Sequence, residues 1–398
     1  MATGTAGGLL DDSGGHAQSA FKHEILRQYM RPFISMLGSA SSGRRVVVLD
    51  GYAGRGRYDD GKPASAELIL QAIENLSDSR RVAAFFVEKD DNDYRRLAAV
   101  VGEYVSRGVL AKALSGGVEA HLGTVLRAAE GVPLFLFLDP CGAGLPFEQL
   151  AAVLAGPRQR SRPQTEVLLN FSANLTRRTA GVVNAGQADH PGVAAMDRVC
   201  GGPWWQETAM AALGQSAKGD FEPVAAAVAT GYASRLARAG SMIQVTVPVR
   251  RRLHYQPIYH LVFMTRSPYG LWVFADALGK ARKAWLRELG RLDGDAPEGM
   301  LFTPADDMEW LIESEAQRAT GMVVCNLRNL MSRRDVPVKL VDHALEVFGG
   351  AYGVATESTV TAAISQLVAR GELTVYQKAK QLRDRVVGRP GLSSPRSP

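Results

Sequence analysis

The stretch VVVLDGYAGRG (residues 46–56) decides the fold of this chain. Four consecutive aliphatic residues are typical of a central strand in a parallel sheet, because such a strand is covered on both faces. Asp50 ends the strand, and a turn with glycines at positions 51, 54 and 56 follows. In open α/β sheets ligands bind at the carboxyl ends of the strands, where glycines let the backbone approach a ligand closely. The stretch therefore predicts a site for a nucleotide-type cofactor.

Strand and helix patterns alternate on both sides of this stretch. Apolar residues at four-residue spacing predict an amphipathic helix over 21–38, kinked or split at Pro32, and Ser65 is expected to cap the next helix. Further strands are predicted at 82–87, 109–114, 133–138 and 165–169, further helices at 91–101 and 118–129, and a hairpin at 242–249 and 258–265. This order predicts the α/β class, with a mostly parallel sheet and an antiparallel closing hairpin.

Because 398 residues exceed one average domain, we expect two folded parts. Residues 1–20 are expected to be disordered and 21–285 to form the α/β domain, with a helical insertion at about 180–240. Residues 300–385 are expected to form a small C-terminal module, and 386–398 a disordered tail. Two short helices followed by a strand outline a winged helix-turn-helix in that module, but any small helical appendage gives the same pattern.

Composition and charge narrow the class of protein. Hydrophobic residues make up 46% and charged residues 22%, as in ordinary folded domains, so general disorder is excluded. No apolar run is long enough to span a bilayer, and the start of the chain lacks the features of a signal peptide. We therefore expect a cytoplasmic protein without a membrane partner. The net charge of +6 favours an anionic partner such as RNA or DNA, although clusters like Arg250–Arg252 are also common on solvated surfaces.

Cysteine and histidine spacing gives no sign of a metal. Cys141, Cys200 and Cys325 lie far apart without a CxxC motif, and the seven histidines are scattered. We expect neither a disulfide framework nor a metal site.

The glycine turn fits S-adenosylmethionine (SAM) better than a dinucleotide. A dinucleotide fingerprint needs GxGxxG, but Asp59 stands where the third glycine should be. An acid followed by a glycine-rich turn is typical of SAM enzymes, and Asp50 can accept from the methionyl amino group. Glu88, at the end of the second strand, can accept both ribose hydroxyls, unless it is only a solvated strand-end charge. The expected cofactor contacts are Asp50, Gly51, Tyr52, Ala53, Gly54, Gly56, Glu88, Lys89 and Ser115. The expected fold is thus Rossmann-like, of the SAM-methyltransferase kind.

A second group of residues is expected over the donor methyl, at the end of the fourth strand. Amino-methyltransferases place a D-P-P-aromatic turn there, in which the acid and a backbone carbonyl accept from the target amine. Here the turn is Asp139-Pro140-Cys141-Gly142, so the aromatic residue is missing. The Pro-Cys pair is also similar to the nucleophile turn of cytosine-5 methyltransferases, whereas a lone cysteine is more often a small buried thiol. Asn170, after the fifth strand, is expected either to orient a substrate amide or simply to terminate the sheet. The expected catalytic residues are Asp139, Pro140, Cys141 and Asn170.

Several short motifs recur in a characteristic order over residues 20–280. They are KHEIL (22–26) with Tyr29, the turn from Asp50 to Tyr58, FVE (86–88), DPxG (139–142), NFS (170–172), Trp204 after a glycine pair, and YHLVF (259–263) before Gly270. In this order they resemble the three-Cys-motif partner proteins (TcmP). The resemblance implies a SAM-methyltransferase-like Rossmann fold and a partner protein with three cysteines in a radical-SAM-like spacing. That family usually has phenylalanine at the position of Cys141, which argues against both a stacking and a nucleophilic role there.

The resulting hypothesis is a SAM-dependent methyltransferase that acts on an amine or a nucleobase within RNA or DNA. Two alternatives stay open. One is a non-catalytic adaptor that binds nucleic acid or the three-cysteine partner on the same fold, and the other is a cytosine-5 methyltransferase that uses Cys141.

Overall fold

The structure, a computed structural model, describes residues 15–156, 158–159, 162–217, 220–293 and 303–393. Contacts divide the chain into two compact units. The first contains Met30–Arg266, and the second contains His16–Tyr29 together with the chain from Ser267 onward.

The first unit alternates strands and helices. Its elements, with the helix that begins in the second unit, are α1 (Gly15–Ser39), β1 (Arg45–Asp50), α2 (Ser65–Glu74), β2 (Arg81–Glu88), α3 (Asp91–Ser106), β3 (Leu110–Ser115), α4 (Val118–Ala128), β4 (Leu134–Leu138), α5 (Phe147–Ala155), β5 (Thr165–Ser172), α6 (Ala173–Asn184), α7 (Pro191–Cys200), α8 (Trp204–Gly214), α9 (Glu222–Ala239), β6 (Ile243–Val249) and β7 (Tyr259–Thr265).

The strands form one seven-stranded sheet in the order β3-β2-β1-β4-β5-β7-β6. Strands β1 to β5 pair in parallel, and β7 pairs antiparallel with both β5 and β6. The predicted α/β class, mostly parallel sheet and closing hairpin are confirmed. The strand order reverses between β1 and β4, which is the point where open α/β sheets hold their ligands.

Burial explains why these segments are strands. Residues 46–50 of β1 and all of β4 are buried, so these central strands need apolar side chains on both faces. On one face, the ring of Phe33 from α1 packs against Phe135 of β4, with centroids 5.0 Å apart. The chain's most apolar runs thus lie at the centre of the sheet.

The first helix differs from its prediction in where it begins and in its course through Pro32. It begins at Gly15, so the expectation of disorder is wrong for residues 15–20, whereas residues 1–14 lie outside the described part. It also continues through Pro32 as one helix of 25 residues, so the chain is not split there.

Helices α6 to α9 occupy the segment between β5 and β6, where a helical insertion was predicted. Trp205 is fully buried among them, and its indole Nε1 donates to Asp197 Oδ1 at 2.7 Å. Trp204 donates to the carbonyl oxygen of Cys200 at 2.7 Å and lies under the guanidinium of Arg235. Both tryptophans therefore anchor this helical group. Its interpretation as an insertion into a smaller domain stays a prediction.

The second unit has long helices and a small sheet. Its elements are α10 (Pro268–Leu292), α11 (Pro304–Ser332), β8 (Val338–Lys339), α12 (Ala344–Phe348), α13 (Glu357–Ala369), β9 (Thr374–Gln377) and β10 (Val386–Gly388), and the sheet order is β8-β10-β9, all antiparallel. The predicted tail begins inside this sheet. Disorder is therefore wrong for Val386–Gly388, where Val387 is fully buried, and residues 394–398 lie outside the described part.

No helix in the described ranges combines the length and the apolar character that a membrane span requires.

A buried arginine ties the amino edge of the sheet together. Arg158 donates to the hydroxyl of Thr165 at 2.8 Å and to the carbonyl oxygens of Ala129 and Val132 at 2.7 and 2.9 Å. Burial lowers the pKa of Arg158 to about 10. Because these carbonyls follow the C-terminus of α4, the cation also compensates the negative end of that helix.

We expect Arg158→Met to lower the free energy of unfolding by about 3 kcal/mol, since it leaves buried carbonyls without a donor. Chemical denaturation followed by circular dichroism measures this. Arg238→Met, at an exposed position of the same unit, is the control and should change stability by less than about 0.5 kcal/mol. Equal effects of the two substitutions would contradict the structural role of Arg158.

Candidate cofactor and acceptor site

A cleft opens at the carboxyl ends of the central strands. It has a volume of about 270 Å³, just below the range of about 300–1,000 Å³ that small-molecule sites occupy. Its walls come from the turn after β1, the end of β2, the turn before α4 and the turn after β4: Gly51–Tyr52, Glu88–Lys89, Gly116–Glu119, Pro140–Gly142 and Gly144. The cleft thus lies where the strand order predicts a ligand.

The glycine turn is held in place by backbone hydrogen bonds. Gly51 N donates to the carbonyl oxygen of Phe137, and Ala53 N to that of Val87, each at 2.9 Å. A Cβ on Gly51 would lie 2.8 Å from the side chain of Leu138, so the turn passes too close to β4 for any other residue there. Gly54 has a φ of +58°, a left-handed conformation that favours glycine.

The carboxylate of Glu88 joins this turn to the end of β2. One oxygen accepts from Gly54 N at 2.9 Å, and the other accepts from Lys89 N and Asp90 N at 2.7 and 2.8 Å. A carboxylate has about four acceptor positions, so one of them remains for a ligand. With the turn in this conformation, Glu88 can accept one ribose hydroxyl, whereas the sequence predicted two.

Asp50 lies beneath the turn and does not line the cleft. It is fully buried, and its two carboxylate oxygens accept from Tyr52 N at 3.2 Å and from Ser65 Oγ at 2.7 Å. The prediction for Ser65 is therefore wrong: the N-cap of α2 is Ala64, and the hydroxyl of Ser65 binds the acid instead. Burial raises the pKa of Asp50 to about 7, and the nearby charges of Asp139 and Glu88 add to the rise.

The departure from GxGxxG has a structural reason. Gly56 supplies the close helix contact that a third glycine would give, since a Cβ there would lie 3.3 Å from Leu97 and Val100 of α3. Asp59 can then be polar, and it forms ion pairs with Arg55 and with Arg96 of α3. Gly56 therefore packs the turn against a helix and does not line the cleft.

An ion-pair network next to the turn was not predicted. Arg57 donates to both carboxylate oxygens of Glu67 on α2 at 2.8 and 2.6 Å, and to Glu103 on α3 at 2.8 Å. Tyr104 also donates to the buried Glu67 at 3.2 Å. The partners lie 10 to 47 positions from Arg57, so no local motif indicates them. The network fixes the end of the glycine turn to two helices.

The predicted acceptor residues come together after β4 and β5. Asn170, buried near the end of β5, donates from Nδ2 to Asp139 Oδ1. Asn170 Oδ1 is buried and has no hydrogen-bond partner among the described residues. A second, small cavity of about 20 Å³ is lined by Asn170, Phe171 and Tyr232 and shares Pro140 with the cleft. Asn170 thus borders the small cavity, and Asp139 directly precedes Pro140 of the cleft wall.

The remaining predicted residues differ in their placement. Tyr52, Lys89 and Cys141 line the cleft, and the thiol of Cys141 is exposed, so its interpretation as a buried space-filler is wrong. Ala53 is buried behind the turn, and Ser115 is exposed outside the cleft. Gly116–Glu119 also line the cleft and were not predicted to do so, although the glycine pair before a helix was a usable signal.

No protein-family model matches the sequence, and a search of curated proteins finds no match either. Among the residues that the structure describes, no group of three or more histidine, cysteine, aspartate or glutamate side chains is arranged to hold a metal ion.

The raised pKa of Asp50 predicts a pH dependence of stability. In the folded chain Asp50 keeps its proton up to about pH 7, whereas in the unfolded chain it loses the proton near its ordinary pKa of 3.8. Between these values the folded state binds more protons, so Asp50 stabilises the fold at low pH and this contribution is lost as the pH rises towards 7. The slope is at most about 1.4 kcal/mol per pH unit.

Asp50→Asn should remove this slope. The measurement is the free energy of unfolding by urea between pH 4.5 and 8 for both proteins, taken as the difference between them so that other titrating groups cancel. A difference that stays constant with pH would show that Asp50 is ionised throughout, and would contradict the burial argument.

Proposed function

We propose that this chain is a SAM-dependent methyltransferase that transfers a methyl group to an amine or nucleobase within nucleic acid. The observation that carries the proposal is the Asp139–Asn170 hydrogen bond directly before Pro140, which lines the same cleft as the glycine turn and Glu88. The sheet also agrees with the expected fold, since its antiparallel β7 lies between β5 and β6.

The chemistry of the cleft suits SAM. Gly51 and Gly116–Gly117 line the cleft with backbone that carries no Cβ. Glu88 would accept a ribose hydroxyl at its remaining acceptor position, and Tyr52 and Lys89 would flank the ligand. Asp50 would contribute indirectly by holding the glycine turn in place, because its carboxylate oxygens already accept hydrogen bonds from Tyr52 N and Ser65 Oγ. When bound, SAM supplies an electrophilic methyl group on a sulfonium.

The residues on the acceptor side would orient the nucleophile. The amide Nδ2 of Asn170 donates a hydrogen bond to Asp139. The Asp139 carboxylate can accept a further hydrogen bond from an N–H group of the target amine. The buried carbonyl oxygen of Asn170 has no hydrogen-bond partner among the described residues and would supply a second acceptor to a ligand that reaches it. Such hydrogen bonds would orient the target amine, and positioning is the main catalytic contribution expected when the donor is already activated.

Glu88→Gln should weaken SAM binding at least about tenfold, because a glutamine amide has a single acceptor oxygen and the turn loses a charged partner. Isothermal titration calorimetry with SAM measures this. Glu130→Gln, an exposed substitution at the other end of α4, is the matched control and should leave the affinity unchanged. Absence of SAM binding by the unmodified protein would overturn the proposal.

Two variants separate the amine mechanism from cytosine-5 chemistry. The purified protein is incubated with methyl-labelled SAM and, separately, with total RNA, genomic DNA and lysate protein, and the labelled fraction identifies the acceptor. We expect Asp139→Asn to reduce labelling at least about 100-fold while SAM affinity is retained. Cys141→Ser should keep full activity. Loss of activity in Cys141→Ser together with an unaffected Asp139→Asn would favour the thiol mechanism.

We also propose that the second unit contains a winged-helix-like module. In support, α12 and α13 precede β9, and the segment that joins β9 to β10 exposes Lys378 and Lys380. The resemblance to the TcmP proteins adds a partner protein with three cysteines, and this suggestion depends on sequence motifs alone. The non-catalytic adaptor is the alternative, and salt-sensitive nucleic-acid binding without methyl transfer would favour it.

A further inference from the structure

Arginine side chains cluster on the edge of the sheet that carries the cleft. Strand β6 runs parallel to β5, so the loop between β6 and β7 (residues 250–258) lies at the same carboxyl edge as the cleft. This loop has the sequence RRRLHYQPI, with three consecutive arginines and two adjacent rings.

The loop is fastened next to Asn170. The backbone N–H groups of Ala173 and Asn174, the first residues of α6, donate to the carbonyl oxygen of Ile258 at 3.1 and 3.3 Å. Arg177 of α6 donates to the carbonyl oxygen of Pro257 at 2.7 Å. The end of the loop therefore lies at the start of α6, a few residues after Asn170 of β5.

Arg250 gives the loop a defined shape. Its guanidinium binds both carboxylate oxygens of Glu222 on α9, and it also donates to the carbonyl oxygen of Tyr255 at 2.5 Å. This arginine is thus neutralised and structural. It holds the loop so that Leu253, His254 and Tyr255 are exposed, with the His254 and Tyr255 rings perpendicular and 4.6 Å apart.

Other arginines of the same region keep their charge available. Arg178, next to Arg177 on α6, is exposed, and neither it nor Arg251 forms an ion pair with a residue in the described ranges. The Nε atom of Arg251 is buried without a hydrogen-bond partner. We call Arg178, Arg251, His254 and Tyr255 the arginine surface.

Arginines without an ion pair in the described ranges, one exposed and one half-buried, together with exposed rings suit one kind of partner. Arginines bind the phosphates of a single strand, and aromatic side chains stack on its unpaired bases, whereas a duplex hides its base faces. A target amine on a base must also leave its stack to enter a cleft. An acidic protein would pair with the arginines, but it would offer no bases on which the His254 and Tyr255 rings could stack.

We infer that the arginine surface binds single-stranded nucleic acid and delivers it to the acceptor side of the cleft. This inference rests on the proposed function for the delivery step, but the binding surface itself is independent of SAM.

The test is fluorescence anisotropy with labelled oligonucleotides of about 16 nucleotides, in single-stranded RNA, single-stranded DNA and duplex DNA forms, over a range of salt concentrations. The single strands should bind more tightly than the duplex. The double variant Arg178→Ala, Arg251→Ala should lower the slope of log K against log salt by about 1.4, since each phosphate contact contributes about 0.7. Tyr255→Ala should weaken binding about fivefold or more without changing the slope.

The matched control is Arg45→Ala with Arg238→Ala. Arg45 begins β1 and Arg238 precedes β6, so both exposed arginines lie near the opposite edge of the sheet. This double variant removes the same charge and should leave binding unchanged. Thermal melts show whether each variant is folded, and the exposed Tyr255→Ala alone remains decisive if the double variant unfolds.

The outcomes separate this inference from the proposed function. Equal losses in the control and test variants, an unaffected Tyr255→Ala, or equal competition by polyglutamate would overturn the arginine surface, even if SAM binds. Loss of oligonucleotide binding in the test variants alone would support it, even if calorimetry finds no SAM binding and the proposed function fails.

Discussion

The hydrogen bonds of the Glu88 carboxylate are the interaction on which the candidate site depends. This side chain accepts from Gly54 N in the turn after β1 and from Lys89 N and Asp90 N at the end of its own strand. The two segments are separated by a helix in sequence but are neighbours in the sheet. Charge-assisted bonds to backbone N–H groups are about twice as strong as neutral ones, so one residue shapes two walls of the cleft.

Asp50 also supports the glycine turn, but the burial of its carboxylate costs free energy. Its carboxylate is fully buried, and burial raises its pKa to about 7. Ser65 and the amide of Tyr52 stabilise its charged form, but they do not offset desolvation completely. Acids in this situation are common at functional sites, where the surrounding structure holds a group that would be more stable in water. Here the Arg57–Glu67 pair helps to hold the surroundings in place.

Sequence patterns were most informative where local chemistry and tertiary context agree. The apolar runs of β1 and β4 are buried on both faces, so hydrophobicity alone indicated them. Patterns were less informative where a residue distant in sequence determines the role or the secondary structure of a segment. Ser65 has the chemistry of an N-cap, but Asp50 lies within hydrogen-bond distance of its hydroxyl. Val386–Gly388 has no long apolar period, and it is a strand because β8 and β9 flank it.

By itself, the sequence determined the order of strands and helices, the glycine turn and the acids at the strand ends, because these depend on local hydrophobicity and backbone freedom. It could not determine which of these residues face the cleft. The arrangement of the strands in space places Glu88 and Cys141 in the cleft wall, Asp50 beneath the turn and Asn170 within hydrogen-bond distance of Asp139. The physical reason is that side-chain exposure and pairing at a strand end depend on neighbouring strands, and the residues of those strands are distant in the chain.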